Sequence, residues 1–445
     1  MTASRTARVT ALVAATALLL TGCAGGLDPD DASTAAATSS ASTDAGAASA
    51  LWDATAVHSI AVSYDDADYD DLIEAYLSTG DKVWISASVT IDGETFDDVG
   101  LKLKGNSTLR SLTTDADASL SSQNPEDLPW IIRLDKFVDG QSLDGTTELV
   151  VRGNSSETSL NEALALDLLA QAGLASQPAI ATRFSVDGSA ETLRLVIENP
   201  SDEWAERELG DVLLYKAEAG GDYSYRGDDA SAYEDVFDQE AGENDLTPLI
   251  DFLQWINESS DATFAAELGE HLDVDAFATY LAFQELVDNF DDIDGPGNNS
   301  YLSYDPGTGL MTVVTWDLNL AFGASPSGGG PGGEGGGGPG GQGNERPGLP
   351  APSAEDESGA QPAAEVGGAP RRGGSNILAE RFLDADEFQA MYAAELDRLQ
   401  AELVDSGDAA ATLQEWTETL TEGASDLVPE ATIAEESNAL VSALE

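Results

Sequence analysis

Alternating hydrophobic and polar residues predict a series of β-strands in the first half of the chain. A period of two is typical of strands that bury one face. The dipeptide Asp92-Gly93 interrupts one of these runs and predicts a hairpin turn. We therefore predict a mainly β N-terminal lobe. The runs with this pattern are 58–64, 83–105, 130–137, 147–153, 179–188 and 191–198.

A helical period of hydrophobic residues becomes dominant further along the chain. A first helix is predicted at 159–174, where Ser159 starts the run and Gly173 ends it. The later helical segments predict a mainly helical C-terminal lobe with one β-hairpin, so the fold class is α+β. The later helices are 245–260, 273–290 and 376–404, and the hairpin strands are 299–305 and 310–317.

The N-terminus has the pattern of a secretory signal peptide. Arg5 and Arg8 precede a hydrophobic run at 9–20, which is too short to cross a bilayer. The run ends in LTGC, which resembles the bacterial lipobox, whose cysteine is lipid-modified. We therefore predict a lipoprotein signal peptide at 1–22, lipidation of Cys23, and a protein tethered outside the cytoplasmic membrane.

Two further segments have a composition that cannot form a hydrophobic core. Residues 23–50 are mostly Ala, Ser, Thr, Asp and Gly and predict a disordered tether. Residues 325–374 are rich in Gly and Pro and predict a disordered insertion. The folded domain is therefore expected at 51–445, with this insertion inside it.

The charge of the chain is extreme, at −63, with 82 acidic and 19 basic residues. This excess argues against nucleic-acid binding, which needs clustered Lys and Arg. Six basic residues nevertheless fall within 51 positions, and alternation places Lys102 and Lys104 on one strand face. Such a group can attract a polyanion such as a nucleotide, or it can simply balance nearby acids. The six are Lys102, Lys104, Arg110, Arg133, Lys136 and Arg152.

Acidic and amide side chains meet around the predicted hairpin. Asp317 directly follows the hydrophobic run LMTVVTW, and Asp291 follows the helix that precedes Asn299. A buried carboxylate is costly unless a cation compensates it, and carboxylate and amide oxygens suit Mg²⁺ that carries phosphates. The pattern by itself leaves three alternatives open: a metal–nucleotide site, a solvated acidic loop and a Ca²⁺ site.

Other catalytic motifs are weak or missing in the sequence. The single cysteine falls at the predicted lipidation site, and His58 and His271 are far apart in the chain. The Gly-rich insertion lacks the pattern of a phosphate-binding loop. Glu162 can pair with a basic residue of the 102–152 window, or can form a capping box with Ser159.

Several motifs in order resemble the CotH family of spore-coat kinase-like proteins. That family has a strand and turn of the form V-x-L-K-G-N-S-S, and later the motifs N-W-D, N-Y-Y-L-Y and P-W-D-x-D-x-x-F-G. The resemblance covers roughly residues 52–430. The corresponding stretches here are VGLKLKGNST (99–108), NFD (289–291), NSYLS (299–303) and TWDLNLAFG (315–323).

The resemblance implies an atypical protein-kinase-like fold with two lobes that uses ATP and Mg²⁺ or Mn²⁺. Asp291 would be the catalytic acid, and Asp317 and Asn299 would be metal ligands. Asp294 is a rival to Asp291, because Asn299 lies five residues after Asp294. The substrate would be a Ser or Thr hydroxyl of a cell-envelope protein.

The same resemblance implies nucleotide contacts from the N-terminal lobe. Lys104 and Arg133 would contact phosphates, and Glu162 would be an ion-pair partner. One departure matters for catalysis, because Asn319 replaces the second Asp of W-D-x-D. Thr315 also replaces the Pro. The alternative function is therefore a non-catalytic scaffold or binding protein of the cell envelope.

Overall fold

Seven strands from the first half of the chain close into a β-barrel. The computed structural model describes residues 50–105, 108–116, 118, 120–295, 298–324 and 376–444. Around the barrel the strand order is β1-β2-β3-β4-β5-β7-β6, and only the β1–β6 pair is parallel. The strands are β1 (His58–Tyr64), β2 (Ile85–Ile91), β3 (Glu94–Leu103), β4 (Trp130–Arg133), β5 (Glu148–Val151), β6 (Ala179–Val186) and β7 (Thr192–Glu198).

A second sheet has four antiparallel strands in the order β11-β10-β8-β9. In the hairpin, Ser300 of β10 is directly opposite Thr315 of β11. Asn299 and Asp317 therefore lie at the same end of this hairpin. The strands are β8 (Leu213–Ala217), β9 (Phe237–Ala241), β10 (Ser300–Asp305) and β11 (Leu310–Thr315).

Ten α-helices are found in the described part of the chain, most of them after the barrel. A π-helical stretch, Gln400–Asp405, follows the eighth. The helices are α1 (Asp66–Thr79), α2 (Leu160–Gln171), α3 (Asp202–Glu208), α4 (Thr247–Glu258), α5 (Asp261–Glu267), α6 (Val274–Leu286), α7 (Ile377–Asp384), α8 (Asp386–Leu399), α9 (Asp408–Ala424) and α10 (Glu430–Ala443).

Three hydrophobic clusters hold these elements together. One fills the barrel, where Trp130 is fully buried. A second packs the outer face of β5, β6 and β7 against α2, α9 and α10. The third packs the second sheet against α4, α6 and α7. Residues Ala48–Glu445 thus form one compact unit, with α2 between the barrel and the C-terminal helices.

The predicted α+β class is confirmed, and several boundaries are corrected. Helix α6 ends at Leu286, so Asp291 lies in the following loop instead of closing the helix. Strand β11 ends at Thr315, two residues before Asp317. The four-stranded sheet also makes the second half less purely helical than predicted, because β8 and β9 have no clear alternation.

Some predictions concern residues that the structure does not describe. The signal peptide at 1–22, Cys23, the tether at 23–50 except its last residue, and the insertion at 325–374 all lie outside the described part. These assignments stay predictions. Within the described ranges, every helix is too short or too polar to cross a membrane.

Candidate functional site

Asp317 lies in a loop that directly follows β11 and faces the barrel. Its backbone is left-handed, with φ at 61°, which is an uncommon conformation for a residue other than Gly. Neighbouring helix α2 holds this loop, because the Asn161 side-chain amide donates to the Asn319 carbonyl at 2.8 Å. The carboxyl group of Asp317 is one-quarter exposed, so a bound ligand can still reach it.

Arg152, one residue after β5, binds two carboxylates from distant parts of the chain. Its Nη2 lies 2.9 Å from Glu162 Oε1 and also contacts Asp317 Oδ1, and its Nε donates to Glu162 Oε2 at 2.9 Å. Burial opposes the charge of Arg152, but the two carboxylates outweigh burial and raise its pKa. Arg152 therefore joins the barrel, α2 and the Asp317 loop in one buried ion-pair group.

Lys104, just after β3, lies beside the same loop, and no carboxylate of the described residues forms an ion pair with it. Its Nζ donates to the side-chain oxygen of Asn199 at 3.1 Å and lies 5.3 Å from the ring centre of Trp316. The Arg152 guanidinium lies 6.0 Å from the same ring. Burial, with the nearby charge of Lys216, lowers the pKa of Lys104 to about 8. The charged form of a buried ammonium group is stabilised by any anion that binds next to it.

All five lysines of the chain gather in this region. Burial is the main cause that lowers the pKa of Lys82, and the charge of Lys216 adds to it. Burial also lowers the pKa of Lys102, with a smaller contribution from the charge of Lys136. Lys102 and Lys136 also stack on Trp84, with Nζ atoms 4.5 and 5.1 Å from its ring centre. A chain with 82 acidic residues thus concentrates every lysine on one surface between the barrel and the second sheet. The five are Lys82, Lys102, Lys104, Lys136 and Lys216.

Arg133 lies near this group but is already neutralised by carboxylates. Its Nε donates to Asp135 at 2.7 Å, and its Nη1 lies 3.1 Å from Glu148. Glu148 in turn accepts a hydrogen bond from Asn199 at 2.9 Å. Arg133 is therefore linked to Lys104 through two intermediate side chains. Its contacts suit a residue that supports Lys104 indirectly, through Glu148 and Asn199, more than one that contacts phosphate directly.

The loop after α6 brings Asn299 against Asp291. The Asn299 side chain donates to the Asp291 carbonyl at 2.9 Å, and the Asn299 backbone N–H donates to the Asp292 carbonyl at 3.2 Å. Asp294 has a structural contact instead, because its Oδ1 accepts from the backbone N–H of Asn376, the N-cap of α7, at 2.8 Å. Asp291 and Asp294 therefore lie in the same loop, and both stay candidates for the catalytic acid.

Comparison with known proteins gives a family assignment. The family model described as CotH kinase protein matches residues 101–428, about three-quarters of the chain. The chain belongs to the CotH family. It is also 26% identical over 195 residues to the inner spore coat protein H of Bacillus subtilis (strain 168), which covers 42% of this chain and 53% of that protein. The alignment thus spans about half the length of that relative.

The CotH-family motifs map onto the elements that form the site. The motif around Lys102 and Lys104 is the end of β3, and the TWDLNLAFG motif is the loop that carries Asp317. The NSYLS motif is the start of β10, where the buried hydroxyl of Tyr301 has no hydrogen-bond partner among the described residues. Its ring packs edge-on against Trp316 at 5.7 Å. These motifs, separated in sequence, therefore meet at Trp316, which contacts both Lys104 and Tyr301.

The donors at the cleft suit a divalent ion that brings most of its own ligands. Asp317 offers a carboxylate and Asn299 an amide oxygen. The described residues contain no group of three or more His, Cys, Asp or Glu that can hold a metal ion. Mg²⁺ fits such a sparse set, because it keeps water and phosphate oxygens as ligands, whereas a Ca²⁺ cage needs more protein oxygens.

Sequence reasoning missed the central residue of this site. Arg152 was grouped with the other basic residues but was given no role, although it is the partner of Glu162. The capping-box alternative for Glu162 is not found, because Ser159 has φ at 55° and its side chain caps nothing. Asn199 and Lys216 were also missed, since neither has a local sequence signal.

Proposed function

We propose that this CotH-family protein is a phosphotransferase that binds ATP with Mg²⁺ or Mn²⁺ in the cleft between the barrel and the second sheet. The barrel would be the N-terminal lobe of a kinase-like fold, and the second sheet with its helices would be the C-terminal lobe. The main support is that all five lysines lie near one another in a chain of charge −63, with Lys104 next to Trp316, the residue before Asp317. Triphosphate is the kind of polyanion that such a local positive surface attracts.

Each residue of the cleft has a role in this proposal. Lys104 contacts phosphate oxygens, because its ammonium group lacks a carboxylate partner among the described residues. Asp317 and Asn299 hold the metal ion, which neutralises the charge of the phosphates when it is bound. Arg152 and Glu162 hold the Asp317 loop against the barrel.

The reaction that we propose is transfer to a Ser or Thr hydroxyl of a cell-envelope protein. Asp291 orients that hydroxyl and accepts its proton while the hydroxyl oxygen forms a bond to the terminal phosphorus. The bond between this phosphorus and the bridging oxygen breaks, and ADP leaves. A location outside the cytoplasmic membrane, with a lipid anchor at Cys23, is proposed on the strength of the LTGC tetrapeptide alone.

A non-catalytic scaffold is the second candidate, and one observation favours it. Asn319 stands where the family pattern has a second acidic residue, so the metal site has one negative charge fewer. A scaffold that keeps the fold can still bind nucleotide, but it transfers no phosphate.

Two measurements on residues 48–445 test the proposal. ATP with Mn²⁺ at a hundredfold excess over its Kd stabilises the folded state by about 2.7 kcal/mol, which thermal unfolding detects. Radiolabelled ATP then reports transfer to a mixture of envelope proteins. Asp317→Asn should abolish the metal-dependent shift, and Asp291→Asn should retain the shift but lose the transfer.

Asp305→Asn is the matched control, because Asp305 lies at the opposite end of the same hairpin. It should change neither readout by more than about twofold, an effect typical of surface substitutions. Nucleotide binding without transfer in the unchanged protein would support the scaffold. No nucleotide binding at all would refute the phosphotransferase proposal.

A further inference from the structure

The loop that links Arg152 to α2 is held by a carboxylate from the far end of the chain. Glu436 of α10 accepts from Ser156 Oγ at 2.8 Å, from the Glu157 backbone N–H at 2.9 Å, and from the Thr158 backbone N–H at 3.1 Å. It also accepts a short hydrogen bond from Thr158 Oγ1. Two amides and two hydroxyls thus converge on one side chain, 278 to 280 positions away in sequence.

The start of helix α2 is capped by the same loop that Glu436 holds. Its N-cap residue, Ser159, has a left-handed backbone and makes no side-chain cap hydrogen bond. The Leu160 N–H donates instead to Thr158 Oγ1 at 3.2 Å, and the Ala163 N–H donates to the Ser159 carbonyl at 3.1 Å. Free backbone groups at a helix start are normally satisfied by a cap. Here the loop before the helix is fixed from outside, by Glu436.

The opposite side of the same segment contacts the Asp317 loop. Ser155 Oγ donates to the Asn319 carbonyl at 3.4 Å, and the Asn161 side chain donates to the same carbonyl at 2.8 Å. Glu162, one residue later, binds Arg152. The segment therefore lies between α10 and the cleft, and a displacement on the α10 side would move groups that contact the Asp317 loop.

A second contact fixes α2 along its length. Trp416 Nε1 of α9 donates to the Asp167 carboxyl group at 2.6 Å, and burial raises the pKa of Asp167. The helices α9 and α10 therefore hold both the start and the middle of α2. Helix α10 begins at Glu430, beyond the residues 101–428 that match the family model.

We propose that Glu436 is a positioning residue, through which the C-terminal helices hold Glu162 against Arg152 and so set the nucleotide site. Glu436 does not touch the cleft itself. It acts by fixing the loop at 153–159, and this loop fixes the first turn of α2. The inference rests on the proposed nucleotide-binding function, but the geometry of the loop can be tested without it.

The first arm of the test measures amide hydrogen exchange by NMR in residues 48–445. The Glu157 and Thr158 amides donate to different oxygens of Glu436. Glu436→Gln replaces one of these oxygens by an NH₂ group that cannot accept, so the amide that faces this group should exchange at least tenfold faster. The Ala163 amide, in the first turn of α2, should accelerate as well. Unchanged exchange at Ala163 would overturn the proposal, because Glu436 would then fix only its direct partners.

The second arm measures the Kd of ATP with Mn²⁺ in four proteins that form a double-mutant cycle. Glu436→Gln should raise the Kd about tenfold alone but less than twofold in a Glu162→Gln background, because the effect passes through Glu162. Equal losses in both backgrounds would contradict the proposal and indicate a general structural role. A double-mutant cycle is the standard way to separate these cases.

Glu435→Gln is the matched control, since Glu435 is exposed on the same helix and loses the same charge. It should change neither exchange nor affinity. Ser156→Ala keeps the test open if Glu436→Gln does not fold. It removes one donor to Glu436 and also the acceptor of the Ser159 N–H, so its effect on Glu157 and Thr158 exchange, which reports the Glu436 contact, should be a smaller change in the same direction. If the unchanged protein binds no nucleotide, the proposed function fails and the exchange arm alone decides this inference.

Discussion

Two cations lie beside the Trp316 ring, and their surroundings differ. Arg152 is buried and bound by Glu162 and Asp317, which raise its pKa. Among the described residues, the side chain of Lys104 donates only to the Asn199 amide oxygen, and burial lowers its pKa to about 8. Two carboxylates of the protein neutralise Arg152, whereas no carboxylate of the described residues forms an ion pair with Lys104. We infer that Arg152 organises the cleft, whereas Lys104 is left to meet the charge of a ligand.

The largest expected effect comes from removing Arg152. Arg152→Met leaves Glu162 buried without a cation, and loss of one partner from a buried ion pair costs about 3–5 kcal/mol. We expect the free energy of unfolding in urea to fall by that amount. Arg152→Lys should recover only part of the loss, because an ammonium group cannot bind two carboxylates with the geometry of a guanidinium.

A double variant checks the origin of this loss. In Arg152→Met with Glu162→Met, both charges of this buried pair are removed, and a hydrophobic pair of similar volume is often neutral for stability. The double variant should therefore be more stable than Arg152→Met alone. If it is less stable, the cost comes from packing and not from the unpaired carboxylate.

Removing Lys104 should weaken nucleotide binding and cost little stability, which is the reverse of what we expect for Arg152. Lys104→Met loses one hydrogen bond but also removes a buried ammonium group, so the free energy of unfolding should not fall by more than about 1 kcal/mol. The affinity for ATP with Mn²⁺ should fall about 10–100-fold, the value of a hydrogen bond to a charged group. Isothermal titration calorimetry measures this change.

Lys136→Met provides the control for lost charge, because Lys136 is exposed and lies further out, over Trp84. It should weaken nucleotide binding by less than about threefold, as expected for an exposed charge. An equal loss in the two variants would mean that the lysines act only through their summed charge, without a direct contact from Lys104.

The comparison also shows what the sequence could and could not predict. Local patterns found β1 and the β10–β11 hairpin, because each alternates or is bounded by a clear turn. Helix α1 was missed because its sequence, DADYDDLIEAYLST, is dominated by acidic residues and only Leu72 and Ile73 are buried. Propensity rules based on hydrophobic period cannot detect such a surface helix.

The sequence predicted only part of the site, because only some of its residues have a local sequence signal. Asp317 could be found because it ends a hydrophobic run, which is a local signal. Its contact with Arg152 spans 165 positions and depends on how the barrel closes and where α2 packs. Pairing of this kind is decided by tertiary structure, so the sequence indicated a basic group but did not single out Arg152 from the other five residues.

The pH dependence separates the two cations further. The pKa of Lys104 is about 8 in the folded protein and 10.5 in the reference state, so above pH 8 the unfolded chain holds more protons. Stability therefore rises with pH between about 8 and 10.5, by at most about 3 kcal/mol. Denaturation of the unchanged protein and of Lys104→Met over this range should show the rise only in the former.

Nucleotide binding should change in the opposite direction over the same range. The affinity for ATP with Mn²⁺ should fall as pH rises through about 8, because Lys104 loses the proton that it donates to phosphate. Lys104→Arg keeps its charge and should bind with a flat profile up to pH 10. A flat profile in the unchanged protein would show that the Lys104 proton is not used in binding.

The smallest effect is expected at Arg133, whose charge is shared between Asp135 and Glu148. Its side chain is 40% exposed, and exposed ion pairs contribute about 1 kcal/mol or less; Glu148 is only 10% exposed, but Gln at position 133 can still donate a hydrogen bond to it. Arg133→Gln should therefore change the free energy of unfolding by that amount and the Kd of ATP by less than about threefold. Glu148 keeps its hydrogen bond from Asn199, so the contact of Asn199 with Lys104 should survive. A loss as large as that of Lys104→Met would contradict this and would restore the direct phosphate contact that the family resemblance implies for Arg133.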